Sequence, residues 1–158
     1  DEEADRIRFN GHDKLGAEMS EQILRDLKFS NSIIEDVVQM VANHMTFKDV
    51  QKMRQSKLKR FMSRSTFNDE IELHRVDCLG SWGGLDNYDF LNKKMVEFAN
   101  EPIIPQPLLT GKDLIELGWS PGPDLGQTIN SVQDMQLEGK LNSKDEALDW
   151  VKSNRLRE

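Results

Sequence analysis

The sequence has one cysteine, a single tyrosine and five prolines, and it contains no run of about 18 apolar residues such as a membrane helix requires. One cysteine, Cys78, cannot form an internal disulfide, so we expect a cytoplasmic protein that does not contact membranes. A glycine-rich phosphate loop, a G-x-S-x-G nucleophile motif and a signal peptide pattern are also missing. The sequence therefore shows no self-contained catalytic constellation.

The 158 residues carry a formal net charge of −7, with 31% charged and 37% hydrophobic residues. This composition is typical of a folded domain and not of a disordered chain. The sequence starts at Asp1 without a methionine, in a strongly charged segment. We therefore expect an excised or processed piece of a longer chain.

Apolar residues recur every three or four positions through most of the chain, and no period-two strand pattern persists. The predicted fold class is all-α. The first helix is expected from Lys14 to Lys28, with one apolar face made by Leu15, Met19, Ile23 and Leu27. Four pairs are spaced as helix-capping boxes: Ser32 with Glu35, Thr46 with Asp49, Thr110 with Asp113, and Ser143 with Glu146.

Three of the five prolines lie between Glu101 and Pro107, which predicts an extended linker. We expect one helical lobe over residues 1–100 and a smaller helical tail over residues 101–158, and a single compact unit remains an alternative. After the linker, Gly118 is expected to end a short helix in a left-handed conformation, and Ser120 to Asp124 forms a rigid turn. By spacing alone this stretch is a tight corner between two helices.

Charge is unevenly distributed along the chain, and one stretch is strongly basic. Seven cations occur from Lys48 to Arg64 against a single acid, Asp49. The cations are Lys48, Lys52, Arg54, Lys57, Lys59, Arg60 and Arg64. The stretch is either a solvated helix face or a strip that follows a phosphate backbone. Its only aromatic neighbours, Phe47 and Phe61, are expected in the core, so base-specific reading is not supported.

The three histidines are the candidates for metal binding. His74 and Asp77 are three residues apart and share a helix face, and imidazole with carboxylate ligands can hold a divalent metal whose bound water attacks a phosphate. The alternative is that these are ordinary helix-terminal and surface residues. Trp82, between glycines, and Trp119 are each either a stacking surface for a base or a buried anchor, and the anchor is favoured.

Four segments, taken in order, resemble the C-terminal region of bacterial CCA-adding tRNA nucleotidyltransferases and poly(A) polymerases. They are FNGHDKLGAEMSEQILRDLKFSN, VANHM, ELHRVDCLGS, and PLLTGKDLIELGWSPGPDLGQTINSVQDMQLEGKL. The resemblance runs from about Phe9 to Lys152. It implies an HD-type helical lobe over residues 1–100, which lacks the first HD helix, followed by the tail.

The resemblance also implies functional roles. His12, His44 and Asp77 fall on metal positions of the HD superfamily, although His12-Asp13 matches a later box and not the defining His-Asp pair. A nucleotidyltransferase head that uses Mg²⁺ with ATP or CTP is implied outside this sequence, so the piece itself is not expected to be catalytic. The family's C-terminal helices position tRNA or another RNA 3′ end, which makes the basic stretch the expected phosphate contact, with Lys112 and Lys140 as secondary candidates.

Two further hypotheses stay open. The chain is an HD-type metal-dependent phosphohydrolase if the histidines and Asp77 bind a metal. It is a helical protein-interaction module if its methionine-rich faces bind a partner.

Overall fold

The computed structural model describes residues 11–80, 84–100 and 102–155. Those residues form eight α-helices and no strand, which confirms the all-α prediction. The helices are α1 His12–Asp26, α2 Asn31–Asn43, α3 Gln55–Met62, α4 Phe67–Gly80, α5 Asp86–Glu97, α6 Gly111–Glu116, α7 Pro123–Leu137 and α8 Lys144–Arg155. None of them is long and apolar enough to cross a membrane. The prediction for Trp82 lies outside the described residues.

The chain divides into two compact units. The first comprises Asp1–Gln51 and Ser65–Asn92, and the second comprises Lys52–Arg64 and Lys93–Glu158. This division differs from lobes that meet at residue 100. The basic helix α3 and the last residues of α5 belong to the same unit as the tail helices, and the histidines belong to the other unit. Arg60 of α3 contacts residues of α7 that lie more than seventy positions later in the sequence.

In the first unit, α1 and α2 pack closely at one small residue. A Cβ added at Gly16 would lie 3.2 Å from Val41 Cγ1, and Ala17 beside it is buried. The apolar face that the spacing indicates on α1 is not buried: Leu15, Met19, Ile23 and Leu27 are 53–65% exposed. Small residues, and not this apolar face, therefore carry the contact between the two helices.

Some helix starts follow the predicted capping residues and others do not. The amide and hydroxyl of Thr110 both donate to Asp113 Oδ2, at 2.7 and 2.6 Å, and Glu146 N donates to Ser143 Oγ at 3.2 Å. The prediction for α2 was wrong by two residues, because Ser30 Oγ accepts from Ile33 N at 3.4 Å. Thr46 starts no α-helix, because it lies inside a 3₁₀ helix, His44–Lys52.

An apolar cluster formed by residues of α6, α7, α8 and the adjoining loops stabilises the second unit. The buried members are Leu109, Leu114, Val132, Leu141, Ala147 and Val151. Trp119 and Trp150 pack against this cluster, which supports the interpretation of Trp119 as an anchor. Gly118 has φ of 83°, so the predicted left-handed end of α6 is confirmed.

The exposed face of α1 leads to a stability prediction. We expect Ile23→Ala to change the free energy of unfolding by less than about 1 kcal/mol, because that side chain stays 53% exposed. The same substitution at Ile34, which is 3% exposed, is expected to cost about 2–5 kcal/mol through the lost burial and the cavity left behind. Urea unfolding of both variants measures the difference, and equal losses would mean that the α1 face is covered in solution.

Candidate functional site

The basic helix α3 meets acidic side chains from α7. Arg60 Nε donates to Asp134 Oδ1 at 3.1 Å, and Arg60 Nη2 donates to Gln133 Oε1 at 3.0 Å. Arg54 Nη2 lies 3.6 Å from Asp134 Oδ2 and its Nε lies 4.0 Å from Glu138 Oε1. Arg54 and Arg60 are therefore already paired within the second unit.

The acid Glu138 has two further partners. Lys140 Nζ donates to Glu138 Oε2 at 2.7 Å, and Ser56 Oγ donates to Oε1 at 2.9 Å. The hydrogen bond from Lys140, followed by that from Ser56, lowers the pKa of Glu138 below its usual value. Glu138 therefore keeps its charge and competes with any phosphate for Arg54 and Lys140.

The remaining cations of the stretch have different surroundings. Lys59 Nζ lies 5.1 Å from the centroid of the Phe98 ring, and Arg64 Cζ lies 4.1 Å from the centroid of the Phe61 ring. Phe61 is buried, as predicted. Lys52 is exposed at the start of the second unit.

Two further lysines of the stretch are exposed. Lys57 is exposed on α3, and Lys48 is exposed in the first unit. Neither has an ion-pair partner among the described residues. The secondary candidate Lys112 is exposed on α6. Sequence reasoning missed Asp134 and Glu138 as partners, because no local spacing relates α3 to an acid more than seventy residues later.

In the first unit, two of the three predicted metal ligands meet. His12 Nε2 and His44 Nε2 are 3.0 Å apart, and the ring centroids are 5.0 Å apart. His44 Nδ1 lies 2.6 Å from the Val41 carbonyl oxygen, which can only accept a hydrogen bond. Nδ1 of His44 therefore carries a proton, and in the neutral ring its Nε2 accepts the hydrogen bond from His12. The approach of α1 to α2 at Gly16 brings the two rings together.

Asp77, the third predicted ligand, lies on α4 in the same unit. It lines a cavity of about 210 Å³ with Val41, His44, Leu73 and His74. The described residues contain no group of three or more His, Cys, Asp or Glu side chains that could hold a metal ion. The residues present thus supply a histidine pair without a third ligand, and no metal-dependent step follows from them. Metal binding by His12, His44 and Asp77 stays a prediction.

His74, which lines the cavity, lies one helical turn from Cys78 on α4. His74 stacks on Phe47, with ring centroids 4.7 Å apart, and its two ring nitrogens lie 3.7 and 3.8 Å from Cys78 Sγ. Sequence reasoning missed this pair, although its i, i+4 spacing indicates it. Burial raises the pKa of the Cys78 thiol, so the sulfur is not an activated nucleophile.

Comparison with known proteins identifies the chain. The family described as tRNA nucleotidyltransferase domain 2 matches residues 12–151. A CC-adding tRNA nucleotidyltransferase of Thermus thermophilus is 30% identical over 157 residues, which cover 93% of this chain and 34% of that protein. The chain belongs to the tRNA nucleotidyltransferase family. The predicted resemblance is therefore confirmed.

Two other relatives are also named as tRNA nucleotidyltransferases. An A-adding tRNA nucleotidyltransferase of Deinococcus radiodurans is 26% identical over 161 residues, which cover 96% of this chain and 36% of that protein. A CC-adding enzyme of Synechocystis is 44% identical over 48 residues, which cover 30% of this chain and 12% of that protein. The chain thus spans about a third of the length of the two relatives that match nearly all of it. No solved structure matches it.

The surroundings of His74 lead to a prediction about its ionisation. Desolvation lowers the pKa of His74 below 6.5, and the Asp77 carboxylate opposes that shift. We expect Asp77→Asn to lower the pKa of His74 further, because the neutral amide no longer favours the imidazolium ion. Titration of the His74 ring by NMR measures this change. Asp69→Asn, on the same helix, is the matched control, and an equal effect of both variants would contradict the assignment.

The sign of the coupled stability change follows from the same shift. A histidine whose folded pKa is lowered binds fewer protons than its unfolded counterpart, so stability falls as the pH decreases through about 6.5. His74→Gln should reduce this loss between pH 7.5 and 5.5 in urea unfolding. A pH dependence that is unchanged in the variant would mean that His74 is not desolvated in the folded protein.

Proposed function

We propose that this chain is the RNA-positioning, helical part of a tRNA nucleotidyltransferase, and that it holds tRNA while a separate catalytic domain extends the 3′ end. The observation that carries the proposal is the family match over residues 12–151 together with relatives named for CC or A addition. A cytoplasmic location is part of the proposal. Mg²⁺ and ATP or CTP belong to the catalytic domain implied outside this sequence.

The charges of the second unit support contact with phosphate over contact with bases. Lys57 is exposed on α3 and has no ion-pair partner among the described residues. Lys59 is a second lysine of the same helix, one turn after Ser56. Both aromatic side chains expected near the stretch, Phe47 and Phe61, are buried and not available for stacking. Recognition by shape and phosphate position is the mode that such a surface allows.

The proposal is tested by the binding of a transcribed tRNA without its terminal CCA across a salt series. We expect binding to weaken as salt rises, because each phosphate contact contributes about 0.7–0.9 to the slope of log affinity against log salt. Lys57→Gln should reduce that slope by about one contact. Lys152→Gln is the matched control, since Lys152 lies on α8 with its Nζ 3.8 Å from Asp149. Undetectable or salt-independent binding would reject the proposal.

The pairing of α3 with α7 leads to a second expectation in the same assay. Asp134→Asn removes the charge that holds Arg54 and Arg60, so both guanidinium groups become available to phosphate. We expect tighter tRNA binding and a steeper salt dependence than in the parent protein. Asp149→Asn on α8 is the control. An unchanged slope in Asp134→Asn would show that the paired arginines lie away from the RNA.

One observation favours the interaction-module hypothesis as a second candidate. The exposed apolar face of α1 is the kind of surface that a second protein chain covers. Light scattering in the absence of RNA distinguishes the interaction module from the RNA-positioning role, because a strictly monomeric protein would argue against self-association. The phosphohydrolase hypothesis lacks a third ligand among the described residues and is not proposed.

A further inference from the structure

A polar cavity of about 330 Å³ lies within the second unit, beside the end of α5. Its walls come from α3, from the last turn of α5 and from the extended chain that follows. The lining residues are Lys59, Glu97, Phe98, Asn100, Pro102 and Ile103. The volume falls within the range of about 300–1,000 Å³ that small-molecule sites occupy.

The ammonium groups of two lysines lie over one aromatic ring. Lys59 Nζ lies 5.1 Å from the centroid of the Phe98 ring, and Lys94 Nζ lies 5.6 Å from it. An ammonium at such a distance is attracted by the negative face of the ring, which restricts a side chain that is otherwise flexible. Phe98 is half-buried and therefore holds Lys59 at the cavity wall.

The carboxylate in the lining makes a bare phosphate a poor occupant. Glu97 would repel an anion, although Lys94 donates to its Oε2 at 2.7 Å and the Glu97 side chain stays 56% exposed. A carboxylate is acceptor-only, so its natural ligand partner is a hydroxyl group. The occupant should thus carry both a negative group for Lys59 and hydroxyl groups for Glu97.

We propose that this cavity binds one nucleotide of an RNA chain. The phosphate contacts Lys59, a ribose hydroxyl donates to Glu97, and the amide of Asn100 bonds to the edge of the base. Pro102 and Ile103 provide an apolar wall for the base. The inference rests on the proposed RNA role and adds one specific nucleotide site to it.

Adenosine 5′-monophosphate is the probe, measured by calorimetry on the protein and on three variants. We expect saturable binding that weakens about tenfold in Lys59→Gln, because a hydrogen bond to a charged group is lost. Glu97→Ala should weaken it as well, because the acceptor for the ribose hydroxyl is removed. Lys152→Gln, on α8 and outside the lining, should leave it unchanged within about twofold. Inorganic phosphate should bind more weakly than the nucleotide, since it has no ribose for Glu97.

The tRNA assay separates failure of this site from failure of the proposed function. In the expected result, Lys59→Gln weakens both the nucleotide and the tRNA. If tRNA binds with the expected salt dependence and the nucleotide does not bind, the cavity assignment is overturned and the RNA role stands. If the nucleotide binds and tRNA does not, the cavity is a site for a free nucleotide, and both the RNA role and the assignment to an RNA nucleotide are overturned. Equal effects of Lys59→Gln and Lys152→Gln on the nucleotide would also overturn the assignment.

Discussion

The ion pairs between α3 and α7 decide what the basic stretch can do. Asp134 and Glu138 neutralise Arg54 and Arg60 from one side, so the helix that looks most cationic in sequence presents fewer available charges in the folded unit. These pairs are partly exposed, and such pairs contribute little to stability on their own. Their effect on binding is larger, because an anion must compete with a carboxylate for each arginine. The local excess of cations in the sequence is thus a poor measure of the surface potential.

Patterns among neighbouring residues predicted helix caps and backbone conformation well. They did not predict burial, which depends on residues far away in the sequence. Thr110 with Asp113 and the positive φ of Gly118 follow from capping and backbone rules that involve only neighbouring residues. The burial of α1 does not follow from periodicity. Its apolar face is exposed, and Gly16 makes the contact with Val41 instead. Periodicity shows which residues share a face, whereas burial depends on which element lies opposite that face.

The candidate site shows the same limit. Placing His12 and His44 on metal positions rested on a family resemblance, and the two imidazoles do meet. The sequence did not show whether Asp77 joins the two histidines. Asp77 lines a cavity with His44, but no group of three such ligands forms among the described residues. The tautomer explains the contact without a metal. The Val41 carbonyl fixes the proton on His44 Nδ1, which leaves a lone pair on Nε2 for the His12 N–H group.

The two kinds of cation on α3 suit different parts of a polynucleotide. Lys57 is exposed, as a side chain that contacts a phosphate backbone by charge alone must be. Lys59 lies over the Phe98 ring beside a carboxylate and an amide, and this set of groups matches the phosphate, ribose and base of the proposed nucleotide. Backbone contacts provide affinity without register along the RNA. A single nucleotide site would provide that register, which a domain that positions a 3′ end for another domain requires.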